Sequence, residues 1–355
     1  MSVLISVGEA EAFAATLLAA AGLERQLAAS VANVLVAADR LGHRTHGLAL
    51  LAPYLTQIET GSMALNGEPE VLSNSATMFH WKANRLPGAH VLTAAIDELA
   101  RRAQHHPMVT ASIAECFHIG ALQVYLEAAT RHDLICLMAT TDPSVRSVAP
   151  FGGVEPVLTS NPMACGIPTR GEPILIDLCT STISNAGAMG YAAQGQKLPG
   201  PWLLDNQGQA SDDPAVLSAT PKGTLLPLGG TDLGYKGFGL GIMVEALALG
   251  LSGYGRTTAN QMFGEGVFVQ LINPAHFAGR EMFLDEMQSL VDASHASQPV
   301  PGGATVRVPG ERALGRRRQV DADGLQLTVG VLDTLQPWLT KFGVGRPGAS
   351  HHEVG

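Results

Sequence analysis

Two histidines three residues apart, His43 and His46, lie in the segment ADRLGHRTHGLALL (38–51). Imidazole can accept and give a proton near neutral pH, so His46 is a candidate acid/base and Thr45 a candidate hydrogen-bond partner for it. Two other interpretations stay open. Asp39, His43 and His46 have the ligand types of a metal site, and as a structural pair the histidines would cap the end of a helix.

A second motif, Cys-Phe-His-Ile-Gly (116–120), follows a predicted strand and precedes a predicted helix. Ligands are often bound where a strand ends beside a helix N-terminus, so His118 is a candidate site residue. The turns APFGG (149–153) and LTSNP (158–162) also hold candidates, because Ser160 and Asn161 can offer polar groups to a ligand.

Three further segments suit an anion. DLCTSTIS (177–184) joins an acidic strand end to hydroxyl residues, which can bind a phosphate or cap a helix. LGYKGFGLG (233–241) predicts Lys236 at a helix N-terminus, beside glycines that permit close approach. It is half of a dinucleotide fingerprint, but no βαβ unit surrounds it, so the Rossmann interpretation fails. VPGERALGRRR (308–318) is either a solvated loop or a source of cations.

The spacing of apolar residues indicates the elements that must position these groups. Residues 8–41 predict two helices separated at Gly22, and 48–58 a third. Further on, strands alternate with helices, which is typical of an α/β fold. The predicted strands are 108–113, 134–140, 174–177 and 267–272. The predicted helices are 90–103, 121–132, a buried 238–251, 282–293 and 325–342, and the predicted loops are 195–230 and 296–318.

Composition excludes several classes of protein. The 355 residues are 46% hydrophobic and 15% charged, which permits a large core and excludes a disordered chain. The net charge of −9 argues against a nucleic-acid partner. The four cysteines form no CxxC pair and are expected to be buried thiols in a reducing compartment. With no basic leader and no long uninterrupted apolar stretch, we expect a cytoplasmic protein without a membrane partner.

Taken in order, seven motifs resemble the type-2 malate/L-lactate dehydrogenase family. Its members include ureidoglycolate, sulfolactate and diketogulonate dehydrogenases and piperideine/pyrroline-2-carboxylate reductases. The motifs are THG (45–47), FHIG (117–120), APFGG (149–153), TSNP (159–162), DLCTS (177–181), GYKGFGL (234–240) and PGER (309–312). The resemblance covers roughly residues 10–340.

The resemblance implies an α/β fold with a non-Rossmann mixed-sheet cofactor domain and a mainly helical domain formed by both chain ends. We expect residues 73–230 to form the NAD(P)-binding domain, and 1–72 with 231–355 the helical one. The implied protein is a homodimer without a catalytic metal. It uses NAD or NADP to transfer a hydride between the nicotinamide and a small 2-oxo/2-hydroxy acid.

The resemblance also implies roles for individual residues. His46 matches the proton donor and acceptor, Thr45 its hydroxyl neighbour, His118 a substrate-contacting or acid/base histidine, and Ser160 a substrate-contacting hydroxyl. The positions that match cofactor contacts are Leu178, Cys179, Thr180, Ser181, Thr182, Ile183, Ser184, Tyr235, Lys236, Gly310, Glu311 and Arg312.

Two positions depart from the family pattern. The family usually has an Arg that clamps the substrate carboxylate four residues after the THG histidine, and here that residue is Leu50. Leucine cannot replace a bidentate guanidinium, so either the substrate lacks a carboxylate there or Arg146 or Arg44 serves instead. The Gly-Lys or Gly-Asp pair that usually follows the DLCTS motif is here 186–187, Ala-Gly.

Three alternative functions stay open. One is NAD(P)H-dependent reduction of a cyclic imino acid, which the missing Asp weakens. Another is a metal-dependent lyase or hydrolase that uses Asp39, His43 and His46. The last is an inactive binding module, for which Leu50 is the supporting feature.

Overall fold

Two long N-terminal helices form where the apolar spacing predicts them, in a computed structural model that describes residues 2–258 and 263–348. The first begins with a capping box, in which the Ser6 hydroxyl accepts from the Glu9 N–H and the Glu9 carboxylate accepts from the Ser6 N–H. The second ends at Gly42, whose φ of 94° is the left-handed conformation that terminates a helix.

The elements are numbered in chain order. The strands are β1 Val3–Ile5, β2 Glu70–Asn74, β3 Met78–Lys82, β4 Met108–Cys116, β5 Ile135–Thr141, β6 Pro162–Ile167, β7 Ile174–Cys179, β8 Leu203–Leu204, β9 Ala210–Ser211, β10 Thr224–Leu225, β11 Glu265–Ile272 and β12 Leu325–Leu327. The helices are α1 Val7–Ala20, α2 Arg25–Leu41, α3 Leu51–Glu59, α4 Gly88–Ala103, α5 Gln123–Thr130, α6 Asn185–Ala193, α7 Gly230–Glu245, α8 Arg280–Ala296, α9 Glu311–Asp323 and α10 Val329–Phe342.

A seven-stranded mixed sheet in the order β2-β3-β4-β11-β5-β6-β7 forms the centre of the fold. Among the described residues, β3 and β4 are parallel neighbours, and the crossover helix α4 connects them. The other neighbouring strands of this sheet are antiparallel. This topology differs from the parallel sheet of a Rossmann fold. The predicted α/β class with a non-Rossmann mixed sheet is confirmed.

Helices cover both faces of the sheet. On β11, Val267 and Val269 join the main core beneath α4, whereas Phe268 packs with Val244 of α7 on the opposite face. This alternation is expected of a strand buried on both sides. The helix α5 packs on β5, β6 and β7. Both β5 and β7 are antiparallel to β6, so the carboxyl ends of β5 and β7 lie at the same end of the sheet.

The two chain ends pack together against this sheet. β1 pairs antiparallel with β12, α10 packs on α1 and α3, and α9 packs on α2. The helical part is therefore built from both ends of the chain, as predicted. However, β11 comes from the C-terminal portion and is a central strand of the sheet. The predicted domain boundaries stay a prediction.

Three sequence-based assignments differ from the structure. The loop predicted at 296–318 is wrong from Glu311 onward, because α9 begins there and buries Leu314 and Val320 while its arginines face outward. The segment 325–342 opens with β12 rather than a helix, since pairing with β1 holds it extended. The helix predicted over 238–251 is not fully buried, because Ile242 is 49% exposed.

Composition predicts buried thiols, and two of the four cysteines are buried. Cys116 and Cys136 are buried, Cys165 and Cys179 are half-buried, and all four are free thiols. In the described part of the chain, no helix is both long enough and apolar enough to cross a membrane.

Gly237 of α7 is required for packing. A Cβ at Gly237 would lie 2.3 Å from the Leu228 nitrogen and 2.7 Å from the Thr180 carbonyl oxygen. We therefore expect Gly237→Ala to lower the free energy of unfolding by about 1–3 kcal/mol, measured by chemical denaturation.

The matched control is Gly330→Ala in α10, where a Cβ would have no neighbour within 4 Å. It should leave stability unchanged or raise it by up to about 1 kcal/mol. Equal stabilities for the two variants would show that Gly237 has no packing role.

Candidate active site

The turn after α2 places His46 by means of a half-buried carboxylate, that of Asp39. The Leu48 N–H donates to Asp39 Oδ2 at 2.8 Å, and burial raises the pKa of Asp39 to about 6. A Cβ at Gly47 would lie 2.1 Å from Asp39 Oδ1, so only glycine fits at this point of the chain. His46 ends a short 3₁₀ turn, Arg44–His46, directly before this contact.

His46 and His118 face each other across a cavity. Their ring centroids are 5.9 Å apart and their planes differ by 23°. His118 directly follows β4, so one imidazole comes from the helical part and the other from the sheet. The predicted convergence of the two motifs on one site is therefore present in the structure.

Each imidazole has a hydroxyl partner on its Nδ1. Thr45 Oγ1 lies 3.0 Å from His46 Nδ1, as the sequence suggested, and Tyr54 Oη lies 2.6 Å from His118 Nδ1. Burial raises the pKa of Tyr54, so its phenol keeps its proton, and we assign the phenol as the donor to Nδ1. His118 therefore carries its own proton on Nε2, which is the nitrogen that faces Glu265.

The two histidines differ in how strongly burial affects them. Burial, with the nearby His46 adding to it, lowers the pKa of His118 to about 3. Burial and His43 also lower the pKa of His46, but the carboxylate of Asp177 opposes that shift. Near neutral pH His118 is therefore a fixed neutral hydrogen-bond donor, and His46 is the imidazole that can exchange a proton.

Three carboxyl groups line the same cavity. The N–H of Gln123 donates to Asp177 Oδ2 at 2.9 Å, and the N–H of Gly264 donates to Asp142 Oδ2 at 3.2 Å. Glu265 Oε2 accepts from the Ile119 N–H, also at 3.2 Å. Burial raises the pKa of all three carboxyl groups, that of Glu265 to about 8.

The cavity has a volume of about 450 Å³ and is half open to solvent. Of the residues predicted for the site, it brings together Thr45, His46, His118, Ser160, Leu178, Cys179 and Ser184. Leu50 also lines it. In the part of the chain that the structure describes, no lysine or arginine does.

The remaining predicted substrate residues lie outside the cavity wall. Arg146 and Arg44 are exposed, each beside a residue that does line the cavity, Val145 and Thr45 respectively. Asn161 is fully buried, accepts from Thr141 at 2.6 Å and donates to Glu245 at 2.9 Å. It therefore anchors its loop to α7 and is not available to a ligand.

The predicted cofactor residues 180–183 form the loop from β7 to α6. Thr180 Oγ1 donates to the Ser160 carbonyl, Ser181 Oγ to the Ile183 carbonyl and Thr182 Oγ1 to the Trp202 carbonyl. Their hydroxyl protons hold the loop in place. Ser184 follows as the N-cap of α6, and its Oγ accepts from the Gly187 N–H at 3.0 Å.

The other predicted cofactor residues lie at the start of α9 or on α7. Gly310 packs against Leu175 at the start of β7, and Glu311 contacts His295 Nε2 at 2.5 Å. Tyr235 and Lys236 are exposed in the first turns of α7, with the Lys236 Nζ 6.0 Å from the Tyr235 ring. None of these residues lines the cavity, and their contacts with a cofactor stay a prediction.

The departure at 186–187 has a local cause. A Cβ at Gly187 would lie 2.9 Å from Ile183 Cγ1 and 3.0 Å from the Ser184 hydroxyl that caps the helix. The Asp or Lys of relatives would not fit here without a shift of the Ile183 side chain.

The residues of the metal-site interpretation have other partners. Asp39 holds the turn at Leu48, and His43 Nε2 contacts Gln123 Oε1 at 2.7 Å. Within residues 2–258 and 263–348, no group of three or more His, Cys, Asp and Glu side chains is arranged to hold a metal ion.

Sequence reasoning missed Tyr54 and Glu265, and it gave Asp177 no role of its own. Tyr54 lies eight residues after His46, on α3. Glu265 is a lone acidic residue between two glycines at the start of an apolar strand, GEGVFVQLI. An isolated charge in such a strand was the available signal, because a buried carboxyl group needs a reason.

Comparison with known proteins identifies the family of this chain. The family model for malate/L-lactate dehydrogenase matches residues 5–336. The L-lactate dehydrogenase of Cupriavidus necator is 29% identical over 353 residues, which cover 97% of this chain and 99% of that protein. The NADP⁺-dependent (2R)-3-sulfolactate dehydrogenase of Chromohalobacter salexigens is 28% identical over 347 residues, or 95% and 98% of the two chains.

A solved structure shows the same fold. Malate dehydrogenase from Entamoeba histolytica superimposes with a TM-score of 0.91 at 23% identity, covering 98% of this chain and 100% of that one. Since the family model spans nearly the whole chain, this protein belongs to the malate/L-lactate dehydrogenase family and is an oxidoreductase.

Proposed function

We propose that this protein interconverts a small 2-oxo acid and the corresponding 2-hydroxy acid with NAD or NADP, in the cavity between His46 and His118. The observation that carries the proposal is the pair of imidazoles facing each other at 5.9 Å, one able to exchange a proton and the other held neutral. The relatives named as NAD⁺- and NADP⁺-dependent dehydrogenases support the choice of cofactor.

His46 is the acid/base in this proposal. In reduction its imidazolium gives a proton to the oxygen of the reacting carbonyl, and in oxidation the neutral ring takes that proton back. Thr45 orients the ring through Nδ1. Asp177 stabilises the charged form, since its carboxylate raises the pKa that burial lowers.

His118 binds the same substrate oxygen in this proposal. The bond from Tyr54 fixes its tautomer, so Nε2–H is available to the carbonyl or alkoxide oxygen. Ser160 borders the cavity beside Cys179 and offers a further hydroxyl. Arg146, next to Val145 at the mouth, is assigned to the C1 carboxylate of the substrate.

The N-terminus of α6 is the part of the cavity that supports binding of a dinucleotide. Ser184, Asn185 and Ala186 line the cavity, and the first N–H groups of a helix have no helical acceptors. They form an anion site for a phosphate, together with residues 178–183. Tyr235, Lys236 and Gly310–Arg312 are assigned to the rest of the cofactor. When bound, the nicotinamide supplies or takes up the hydride.

We also propose the domain division given above, a cytoplasmic location and a homodimer. An exposed stripe on α7 supports the dimer. Tyr235, Gly239, Ile242, Met243 and Ala246 recur at helical spacing, and all are exposed. Such a continuous apolar surface on a helix is typical of a subunit interface.

His46→Ala should retain cofactor binding and lose at least about 100-fold in kcat, because general acid catalysis contributes about that much. NADH fluorescence titration measures binding, and absorbance at 340 nm measures turnover. The exposed His132→Ala is the control. An undiminished kcat in His46→Ala would transfer the proton-exchange role to His118.

The pH profile tests the role of Asp177. Oxidation needs neutral His46, so kcat/KM for the 2-hydroxy acid should rise with pH, with a midpoint below 6.5 because the pKa of His46 is lowered. Asp177→Asn removes the charge that stabilises the imidazolium and should move the midpoint to lower pH. Asp97→Asn, exposed on α4, should not move it. A higher midpoint in Asp177→Asn would contradict the assignment.

Sedimentation should give a mass twice that of the 37.0 kDa chain. Ile242→Arg should dissociate the dimer, because it places a charge in the stripe, whereas Val300→Arg on an exposed loop should not. A wild-type mass of one chain would refute the dimer.

A further inference from the structure

The cavity holds carboxyl groups where the family pattern implies a cation. Asp142, Asp177 and Glu265 line it, and no described lining residue is a lysine or arginine. The stretches outside the described residues contain neither residue type. Leu50, four residues after His46, lines the cavity wall. A second anionic group on a substrate would therefore find no counter-charge inside.

Glu265 is the carboxyl group best placed to contact a substrate. Its side chain is 9% exposed, and Oε2 accepts from the Ile119 N–H and from Thr140 Oγ1, both at 3.2 Å. Among the described residues, Oε1 has no hydrogen bond and lies 3.9 Å from His118 Nε2. It is thus a polar atom on the cavity wall, beside the imidazole assigned to the reacting oxygen.

The surroundings of Glu265 decide its charge. Burial raises its pKa to about 8, and the charge of Asp142 adds to the shift. The other titratable groups near it are His118 on the segment after β4, Cys116 on β4 and Tyr54 on α3. Near neutral pH Glu265 is largely a carboxylic acid, which can both donate and accept at Oε1.

Resting on the proposed function, we propose that Glu265 determines the substrate class. The substrate is a 2-oxo acid whose C1 carboxylate stays at the mouth near Arg146. Its other end carries an uncharged hydrogen-bonding group, a carboxamide or hydroxyl, which Glu265 Oε1 binds. Dianionic substrates such as four-carbon dicarboxylates are disfavoured.

Both protonation states of Glu265 favour a carboxamide over a carboxylate. The acid donates to the amide carbonyl or accepts the amide N–H, and the ionised form accepts the N–H. A substrate carboxylate is repelled by the ionised form, and beside the acid it is still a buried anion without a cation, which is costly. Leu50 offers no polar group in compensation.

An isosteric pair of substrates tests this proposal. Oxaloacetate and 2-oxosuccinamate differ only in the far carboxylate, which is a carboxamide in the second compound. With NADH and with NADPH, wild-type kcat/KM should favour the amide by about 10-fold or more. Glu265→Gln keeps a hydrogen-bonding group and cannot ionise. Because the wild-type side chain carries its charge mainly above its pKa of about 8, the variant should raise kcat/KM for oxaloacetate and reduce that ratio in assays above pH 8.

Leu50→Arg gives an independent test that leaves Glu265 in place. It supplies the missing guanidinium and should shift the ratio towards oxaloacetate by about 10-fold. Arg146→Ala should raise KM for both compounds by the same factor, because they share the C1 carboxylate. The control Glu172→Gln, in an exposed ion pair with Arg318, should leave the ratio unchanged.

The outcomes separate the two proposals. If neither cofactor supports reduction of any 2-oxo acid, the proposed function fails. If the enzyme reduces both compounds equally well, or prefers oxaloacetate regardless of Glu265→Gln, the assignment of Glu265 is overturned. If Arg146→Ala changes the ratio of kcat/KM between the two compounds, the far end of the substrate lies at the mouth of the cavity near Arg146. That result would overturn the proposed orientation.

Discussion

The half-buried hydrogen bond between the Leu48 N–H and Asp39 fixes the position of His46, on which the site depends. It turns the chain sharply after α2, and the turn brings His46 to the sheet. Only Gly47 allows the carboxylate to come so close. Without this contact the helical part would still bury its apolar faces, but the first imidazole would have no defined direction.

The second imidazole is held by an equally specific contact from the other side. Tyr54, on the helix after the His46 turn, reaches the ring that follows β4. The helical part therefore supplies one histidine and orients the other. This explains why the cavity lies at the junction of the two parts.

Burial organises the electrostatics of the cavity. It lowers the pKa of both histidines and raises that of all three carboxyl groups, and so disfavours the charged form of each. The two histidines then differ in their roles because their surroundings differ. Asp177 opposes the shift of His46, whereas no carboxylate does so for His118, and so one ring remains able to exchange a proton.

The sequence by itself determined the fold class, the family and the residues of the two histidine motifs, because these depend on local spacing and on motif order. It did not predict α9, since an arginine-rich stretch appears solvated until its few apolar residues find a core. Only the tertiary structure decided that Asn161 is an anchor, and that Tyr54 and Glu265 border the same cavity as His46. A contact between residues more than 60 positions apart produces no periodic pattern in the sequence. Such contacts form only when the packed elements bring the two side chains together.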